Sequence, residues 1–354
     1  MGRQATAWTL AFAAFALLRT YGIETPPAQA LALWEYALVI VPLDTITGVV
    51  LAGVTLGLER FERERRLSFF AATAVNGVVF VLLLTGVALL ASSLAAYVLH
   101  GGLRWARIRD LALQESTALF LGYCFVVGIL VDGARQVSLR FGPGNLLPVL
   151  KGTYRVPTEV ERVFMFLDLQ SSTAIAERLG HVRYSAFVQD CFRDLAVVHE
   201  YGAEVYQYVG DEAVLTWTYQ EAFGRGRGGL RQNPCLTAYF AFERALLART
   251  AYYTAQYGAI PVFEAGVHCG TTMVAEVGTV KREIAYHGDA VNTAARMQCL
   301  CNGYGARLLV SGAVAARVKE DGSYTMRSLG EVVLRGRTEA VEVYAVGDMR
   351  AAAQ

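Results

Sequence analysis

The sequence predicts two parts of different fold class, an α-helical membrane domain followed by an α+β domain. Hydrophobic residues make up 54% of the chain, which is high for a soluble protein, and the excess lies before residue 140. Beyond that point, short apolar runs of strand length alternate with helical patterns. This alternation is typical of a mixed, mainly antiparallel sheet with helices packed on it.

Four runs before residue 135 contain almost no charged residues: 4–18, 36–58, 67–103 and 116–131. Within them only Asp44 is charged. A membrane-spanning helix needs about 20 mostly apolar residues. We therefore predict a transmembrane domain of four helices within residues 1–135, with the third run leaving the bilayer near His100.

Residues 136–158 are predicted to form a linker, because Gly142, Pro143, Pro148 and Pro157 argue against one continuous helix. The formal net charge is +1, so the chain lacks the basic surplus of a nucleic-acid-binding protein. The six cysteines show no complete zinc-binding spacing and are interpreted as reduced thiols.

Two stretches of the second part place an aspartate where an apolar run ends. Asp168 follows the run 163–167 and precedes a predicted helix, and Asp211 lies in the turn of a predicted hairpin, 203–218. Carboxylates at the ends of neighbouring strands can share two divalent cations, and a helix N-terminus favours phosphate. An aspartate that follows an apolar run is, taken alone, most often a turn or capping residue.

A third stretch, 285–297, contains Gly-Asp-x-Val-Asn-x-Ala-x-Arg from Gly288 to Arg296. Together with the two aspartate stretches, in this order and spacing, it resembles the catalytic domain of class III nucleotidyl cyclases, the adenylate and guanylate cyclase family. The resemblance covers residues 159–348, leaving 349–354 as a C-terminal tail. It implies that Asp168 and Asp211 bind two Mg²⁺ or Mn²⁺ ions per site, assisted by the Leu169 carbonyl.

The resemblance also implies roles for residues that would bind the substrate. Asn292 and Arg296 are four apart on one helix, where they would orient the ribose and stabilise the transition state. The triphosphate would be met by Arg335 and by the backbone N–H groups of the following three residues: Ser171, Ser172 and Thr173. The family usually has glycine at the position of Ser171, and lysine at that of Arg335.

Base selection departs from the family's usual residues. Gln207 stands where adenylate cyclases of the family usually carry Lys and guanylate cyclases Glu, and Ala285 occupies the partner position. Because an amide both donates and accepts hydrogen bonds, Gln207 is compatible with either base. ATP is the expected substrate. A guanylate cyclase using GTP and a non-catalytic membrane nucleotide receptor are the alternatives.

In the family, the metal aspartates and the Asn/Arg helix of one site come from different subunits. A single catalytic domain with both sets therefore implies a homodimer with two equivalent sites. The four apolar runs predict a multi-pass protein of the plasma or inner membrane, and a cyclase's need for cytosolic ATP or GTP places the catalytic domain in the cytoplasm. The arginines of the first loop agree with this orientation, and those at 104, 107 and 109 do not.

Helices and strands are predicted in order along the second part. Residues 173–201 are expected to form two helices broken near Gly180, and residues 262–268 and 272–277 a hairpin around Gly270. The remaining predicted helices are 234–257 and 290–301. The remaining predicted strands are 307–310, 324–329, 331–335 and 340–346.

Overall fold

A computed structural model describes residues 152–224, 233–280, 282–318, 323–336 and 339–348, with scattered helical residues between 10 and 131. The chain divides into two compact units, 1–139 and 140–354. The four predicted membrane runs lie mostly outside the described residues. No helix that the structure does describe combines the length and apolar character that a bilayer crossing requires.

The eight described strands of the second unit form one sheet. Their order is β2-β3-β1-β4-β6-β8-β7, and β5 pairs with β4 off this path. All described pairs are antiparallel except β4 with β6. The strands are β1 Thr158–Leu169, β2 Glu204–Val209, β3 Glu212–Thr218, β4 Phe263–Val277, β5 Glu283–His287, β6 Leu308–Ser311, β7 Tyr324–Val333 and β8 Ala340–Asp348.

The helices are α1 Ser172–Asp194, α2 Tyr219–Phe223, α3 Pro234–Ala248, α4 Thr250–Tyr257, α5 Asp289–Tyr304 and α6 Gly312–Ala315. Two 3₁₀ turns, Thr153–Arg155 and Leu195–Tyr201, complete the described elements. Together with the mixed sheet, they confirm the predicted α+β class of the second part.

Strand β1 is buried on both faces. Successive side chains of a strand point to opposite sides, so alternate residues of β1 belong to two different hydrophobic clusters. Val163 and Met165 pack with aromatic residues of α1, α3 and α4. Phe164 and Phe166 pack on the other face with Ala290 and other residues of α5. The sheet therefore has helices on both faces, and α5 covers the face to which Asp168 belongs by alternation.

The predicted break near Gly180 is confirmed, since this glycine has φ 71° and ψ 162° inside α1. The single helix predicted for 234–257 is wrong at one point, because α3 ends before Arg249 and α4 begins after it. Arg249 has a non-helical φ of −106° and ψ of 16°. Its guanidinium pairs with Asp194 at 2.6 Å, which anchors the break against the end of α1.

The predicted hairpin around Gly270 is also wrong. Residues 269–271 continue to pair with β1, so β4 is one strand of 15 residues. A glycine here signals close packing rather than a turn, since a methyl group at Gly270 would lie 3.2 Å from the Ala290 side chain.

The strands predicted as 324–329 and 331–335 are a single strand, β7. Its pairing with β8 shifts register between Ser328 and Gly330, where one extra residue is accommodated. Gly330 has φ 85°, a conformation that glycine adopts readily. The glycine therefore marks a bulge within β7 and not its end.

Candidate active site

The end of β1 and the turn between β2 and β3 bring two aspartates together. Antiparallel pairing places Leu167 of β1 opposite Ala213 of β3, so the residues that flank this pair are neighbours. Asp168 follows on β1, and Asp211 precedes β3 in a turn that Gly210 makes with φ 64°. The two carboxylates predicted as metal ligands thus share one edge of the sheet.

The electrostatics of this pair are those of two acids in a half-buried site. Burial raises the pKa of Asp168, the charge of Asp211 raises it further, and hydrogen bonds from the Leu169 backbone and Gln298 act in the opposite direction. The repulsion between two neighbouring carboxylates is relieved by protonation of one of them or by a bound cation.

The donor set fits a divalent cation. The Oδ2 atom of Asp211 is buried and has no hydrogen-bond partner among the residues that the structure describes. A buried carboxylate oxygen without a donor is costly, and a cation relieves that cost. The described residues contain no group of three or more metal-ligating side chains. Proteins commonly hold Mg²⁺ with one or two carboxylates plus substrate phosphates, and Asp168 and Asp211 offer two carboxylates.

The N-terminus of α1 follows directly after the first aspartate. Ser171 is the residue before the helix and has φ 57° and ψ 29°, in the left-handed region, and its side chain makes no capping hydrogen bond. The N–H groups of a helix's first turn lack partners within the helix and can bind an anion. Ser172 and the exposed Thr173 begin that turn, as predicted.

Three further ionisable side chains belong to this site, and the sequence analysis missed them. Burial, then the charges of Asp168 and Asp211, raises the pKa of Glu212 to about 6. Burial and the charge of Asp168 also raise the pKa of Glu264, which lies directly opposite Asp168 on β4. Burial and Asp211 raise the pKa of Tyr184 to about 12, with Ser172 within hydrogen-bonding reach.

The sequence offered a signal for one of the three. Glu212 is adjacent to the predicted metal ligand and ends the Gly-Asp-Glu turn. Glu264 becomes a neighbour only through the register of β1 and β4. Tyr184 lies beyond the Gly180 kink, which changes the helical phase, so its spacing from Ser172 does not show that the two meet.

Helix α5 presents different residues on its two sides. Asn292 is exposed and Arg296 is half-buried, four residues apart on one face as predicted. Gln298 is 6% exposed and its Nε2 donates to Asp168 Oδ2 at 3.4 Å. At 3.6 residues per turn, Arg296 and Gln298 are about 200° apart around the helix. Within one chain, the Asn292 and Arg296 face therefore points away from Asp168.

Arg335 lies in an exposed turn after β7, and the next residue, Gly336, approaches α5. A methyl group on Gly336 would lie 3.6 Å from Arg296 Nη2. Two guanidinium-bearing residues of the predicted site are thus close in the same chain. Their combined positive charge is suited to an anionic ligand.

The predicted base-reading residues are not brought to one face of the sheet. The pairing of β2 with β3 shifts register at Tyr206, which is an extra residue in β2. Gln207 therefore pairs with Val214 and lies on the face of the sheet that α5 covers. Its side chain is exposed. Ala285 is buried and pairs with Ala275, facing away from its neighbour Tyr286. The role of Gln207 and Ala285 in base selection stays a prediction.

Tyr206, the extra residue of β2, contacts Tyr286 of β5. Its hydroxyl accepts a hydrogen bond from the Tyr286 backbone N–H at 3.3 Å, and the two rings pack edge to face with centroids 5.1 Å apart. No local pattern in the sequence indicates this contact, because it depends on the bulge in β2.

The fold and the acidic strand edge beside a helix N-terminus define a class of protein, an α+β domain with a candidate metal–phosphate site. The family model described as "Adenylate and Guanylate cyclase catalytic domain" matches residues 158–347, more than half of the chain. The chain belongs to this family, which confirms the resemblance seen in its motifs.

Two curated relatives come from Rhizobium meliloti (strain 1021). "Adenylate cyclase 2" is 34% identical over 209 residues, which cover 59% of this chain and 56% of that protein. "Adenylate cyclase 1" is 30% identical over 195 residues, covering 53% of this chain and 28% of that protein. The matched region thus spans little more than half of one relative and less than a third of the other.

A solved structure of a bacterial light-regulated adenylyl cyclase has the same fold. It superimposes with a TM-score of 0.53 at 19% sequence identity, covering 65% of this chain and 64% of that chain. At this identity the likeness concerns the fold alone.

Proposed function

We propose that this chain is an adenylate cyclase that converts ATP to cyclic AMP and pyrophosphate. The observation that carries the proposal is the pairing of Asp168 with Asp211 beside the N-terminus of α1, with a buried, unpartnered oxygen on Asp211. Both relatives named above carry adenylate cyclase names, which favours ATP over GTP.

In this reaction the ribose 3′-oxygen loses its proton, attacks the α-phosphorus in line, and displaces pyrophosphate. Asp168 and Asp211, with the Leu169 carbonyl, would hold two Mg²⁺ or Mn²⁺ ions, which lower the pKa of the 3′-hydroxyl and neutralise the triphosphate. The N–H groups of Ser172 and Thr173 bind the phosphates at the helix N-terminus.

Arginine and asparagine side chains complete the site from α5. Arg296 places a permanent positive charge against the negative charge that develops on the phosphate, and Asn292 orients the ribose. Arg335 binds the terminal phosphate; its guanidinium suits bidentate contact better than a lysine would. Gln207 contacts the base, and its amide can pair with adenine or guanine.

We further propose a homodimer with two shared sites. Asn292 and Arg296 point away from the aspartates of their own chain, so a second chain related by twofold symmetry can supply them. Asp168→Ala chains and Arg296→Ala chains would each form inactive dimers. A mixture at equal amounts forms about one half heterodimers, each with one intact site, so about a quarter of wild-type activity should return.

The membrane location expected from residues 1–135 is part of this proposal, with the cyclase domain in the cytoplasm. The motivating observation is the four apolar runs in that region.

One experiment addresses product, metal site and location together. Membrane and soluble fractions of expressing cells are incubated with ATP or GTP and Mn²⁺, and products are identified by mass spectrometry. Cyclic AMP formed by the membrane fraction, and lost in Asp168→Ala, is the expected result. Cyclic GMP alone would favour a guanylate cyclase, and neither product despite bound nucleotide would favour a receptor. Activity confined to the soluble fraction would contradict the membrane location.

A further inference from the structure

Helix α5 carries a buried amide that the proposed reaction leaves without a role. Gln298 is 6% exposed, so its polar side chain is almost fully removed from water. Such a group needs a hydrogen-bond partner. The partner is Asp168 Oδ2, at 3.4 Å from Gln298 Nε2. Because a carboxylate only accepts hydrogen bonds, the amide must donate here, which fixes its orientation.

The backbone of Gln298 is held in place by the sheet below it. Gly266 of β4 has no side chain, and α5 lies against its backbone there: a methyl group on Gly266 would lie 2.8 Å from the Gln298 Cα. Gly266 pairs with Phe166, one alternation before the pair of Asp168 with Glu264. The backbone of Gln298 is therefore held against Gly266, opposite Phe166, and its side-chain amide reaches Asp168 two residues further along β1.

We propose that Gln298 is the positioning residue that orients the Asp168 carboxylate for the metal. Its amide holds Oδ2, and this fixes the plane in which Oδ1 is offered to the cation. Without it, the carboxylate keeps the Leu169 backbone hydrogen bond but faces Asp211, Glu212 and Glu264, three acids that repel it and offer no donor. The inference rests on the proposed function and adds a residue to its metal site.

The first test measures metal binding without turnover. Mn²⁺ is titrated into the purified full chain, and free Mn²⁺ is measured by electron paramagnetic resonance. Gln298→Met keeps the length of the side chain and removes the donor, and its Mn²⁺ dissociation constant should rise about 10-fold. Thr293→Val is the matched control, since Thr293 is also buried on α5 but contacts Asp289. Its dissociation constant should equal that of wild type.

Kinetics give a second readout that a merely structural role would not move. The Mn²⁺ concentration for half-maximal activity of Gln298→Met should rise about 10-fold, while kcat at saturating Mn²⁺ stays within about threefold of wild type. A fall in kcat that excess Mn²⁺ does not restore would overturn the proposal.

Mixed dimers separate positioning of Asp168 from general damage to α5. At a Mn²⁺ concentration too low to support turnover by Gln298→Met, its mixture with Arg296→Ala should regain about a quarter of wild-type activity, because the heterodimer holds one site with an intact Gln298–Asp168 pair and an intact Arg296. Gln298→Met mixed with Asp168→Ala should regain nothing beyond the activity of Gln298→Met alone. If substitution at Gln298 disturbs the whole helix, the first mixture stays inactive and the inference is wrong.

A control mixture separates the proposed shared site from the proposed role of Gln298. Asp168→Ala mixed with Arg296→Ala tests the shared site itself, so its failure removes the proposed dimer and leaves the Mn²⁺ titration to decide on Gln298. Folding is checked by alkylation of Cys301, a fully buried residue of α5 itself. If Gln298→Met and a second variant, Gln298→Leu, both expose Cys301 in the native protein, Gln298 is a structural residue and the proposal fails.

Discussion

Gly266→Ala should be among the most damaging single-methyl additions in the second unit. The added carbon would lie 2.5 Å from the Ala294 carbonyl oxygen, and closer still to the Gln298 amide nitrogen. Both are backbone atoms, which cannot rotate away as a side chain would. An ordinary contact needs about 3.5 Å, so α5 must move by about 1 Å. We expect a loss of about 3 kcal/mol in the free energy of unfolding, the upper end of overpacking costs.

The assay follows urea unfolding through alkylation of Cys301, read by fragment-ion mass spectrometry that distinguishes it from the exposed Cys299 on the same peptide. With a slope of about 2 kcal/mol per molar urea, the midpoint should fall by about 1.5 M. Gly303→Ala is the matched control on α5, because nothing lies within 4 Å of its added carbon. There the change should raise the midpoint by about 0.3 M through helix propensity. Equal midpoints for the two variants would refute the packing argument.

Two other variants test local features of the same unit. Ser171→Gly should raise stability by about 0.5 kcal/mol, because removing the left-handed cost of about 1–2 kcal/mol outweighs the added unfolded-state freedom; an unchanged urea midpoint would contradict this. Tyr257→Phe removes a 2.6 Å hydrogen bond to Asp190, and should cost about 2 kcal/mol at pH 7. Burial raises the pKa of Asp190, but tyrosine hydrogen bonds and arginine charges outweigh it and lower the pKa overall. This stability is therefore present above about pH 4 and is lost as pH falls through the lowered pKa. A cost that stays constant from pH 7 to pH 3 would contradict the role of the ionised carboxylate.

The parts of the site that sequence could predict are those with local signatures. Asp168 and Asp211 each end an apolar run, and strand ends of neighbouring strands meet at one edge of a sheet. Asn292 and Arg296 share a helix face because they are four residues apart. Such features depend only on the geometry of single elements, which local spacing determines.

The features that the sequence could not predict depend on register or on a break in periodicity. The hairpin expected at Gly270 failed because glycine marks both turns and close packing, and only the neighbour, Ala290, decides between them. Tyr206 and Gln207 occupy one face because β2 contains an extra residue, and a one-residue shift reverses every later side chain. No composition signal distinguishes such a bulge from regular alternation.

Helix α5 carries Arg296 on one side and Gln298 on the other, and the sequence motif identified only the first of these residues. Periodicity places Arg296 and Gln298 on opposite sides of the helix, and this follows from the sequence alone. Which side meets the metal carboxylates depends on β4, where Gly266 admits the helix backbone and the pairing of β1 with β4 sets Asp168 nearby. Gln298 then faces the acids of its own chain. Arg296 faces outward, where the second chain of the proposed homodimer would give that arginine a substrate to bind.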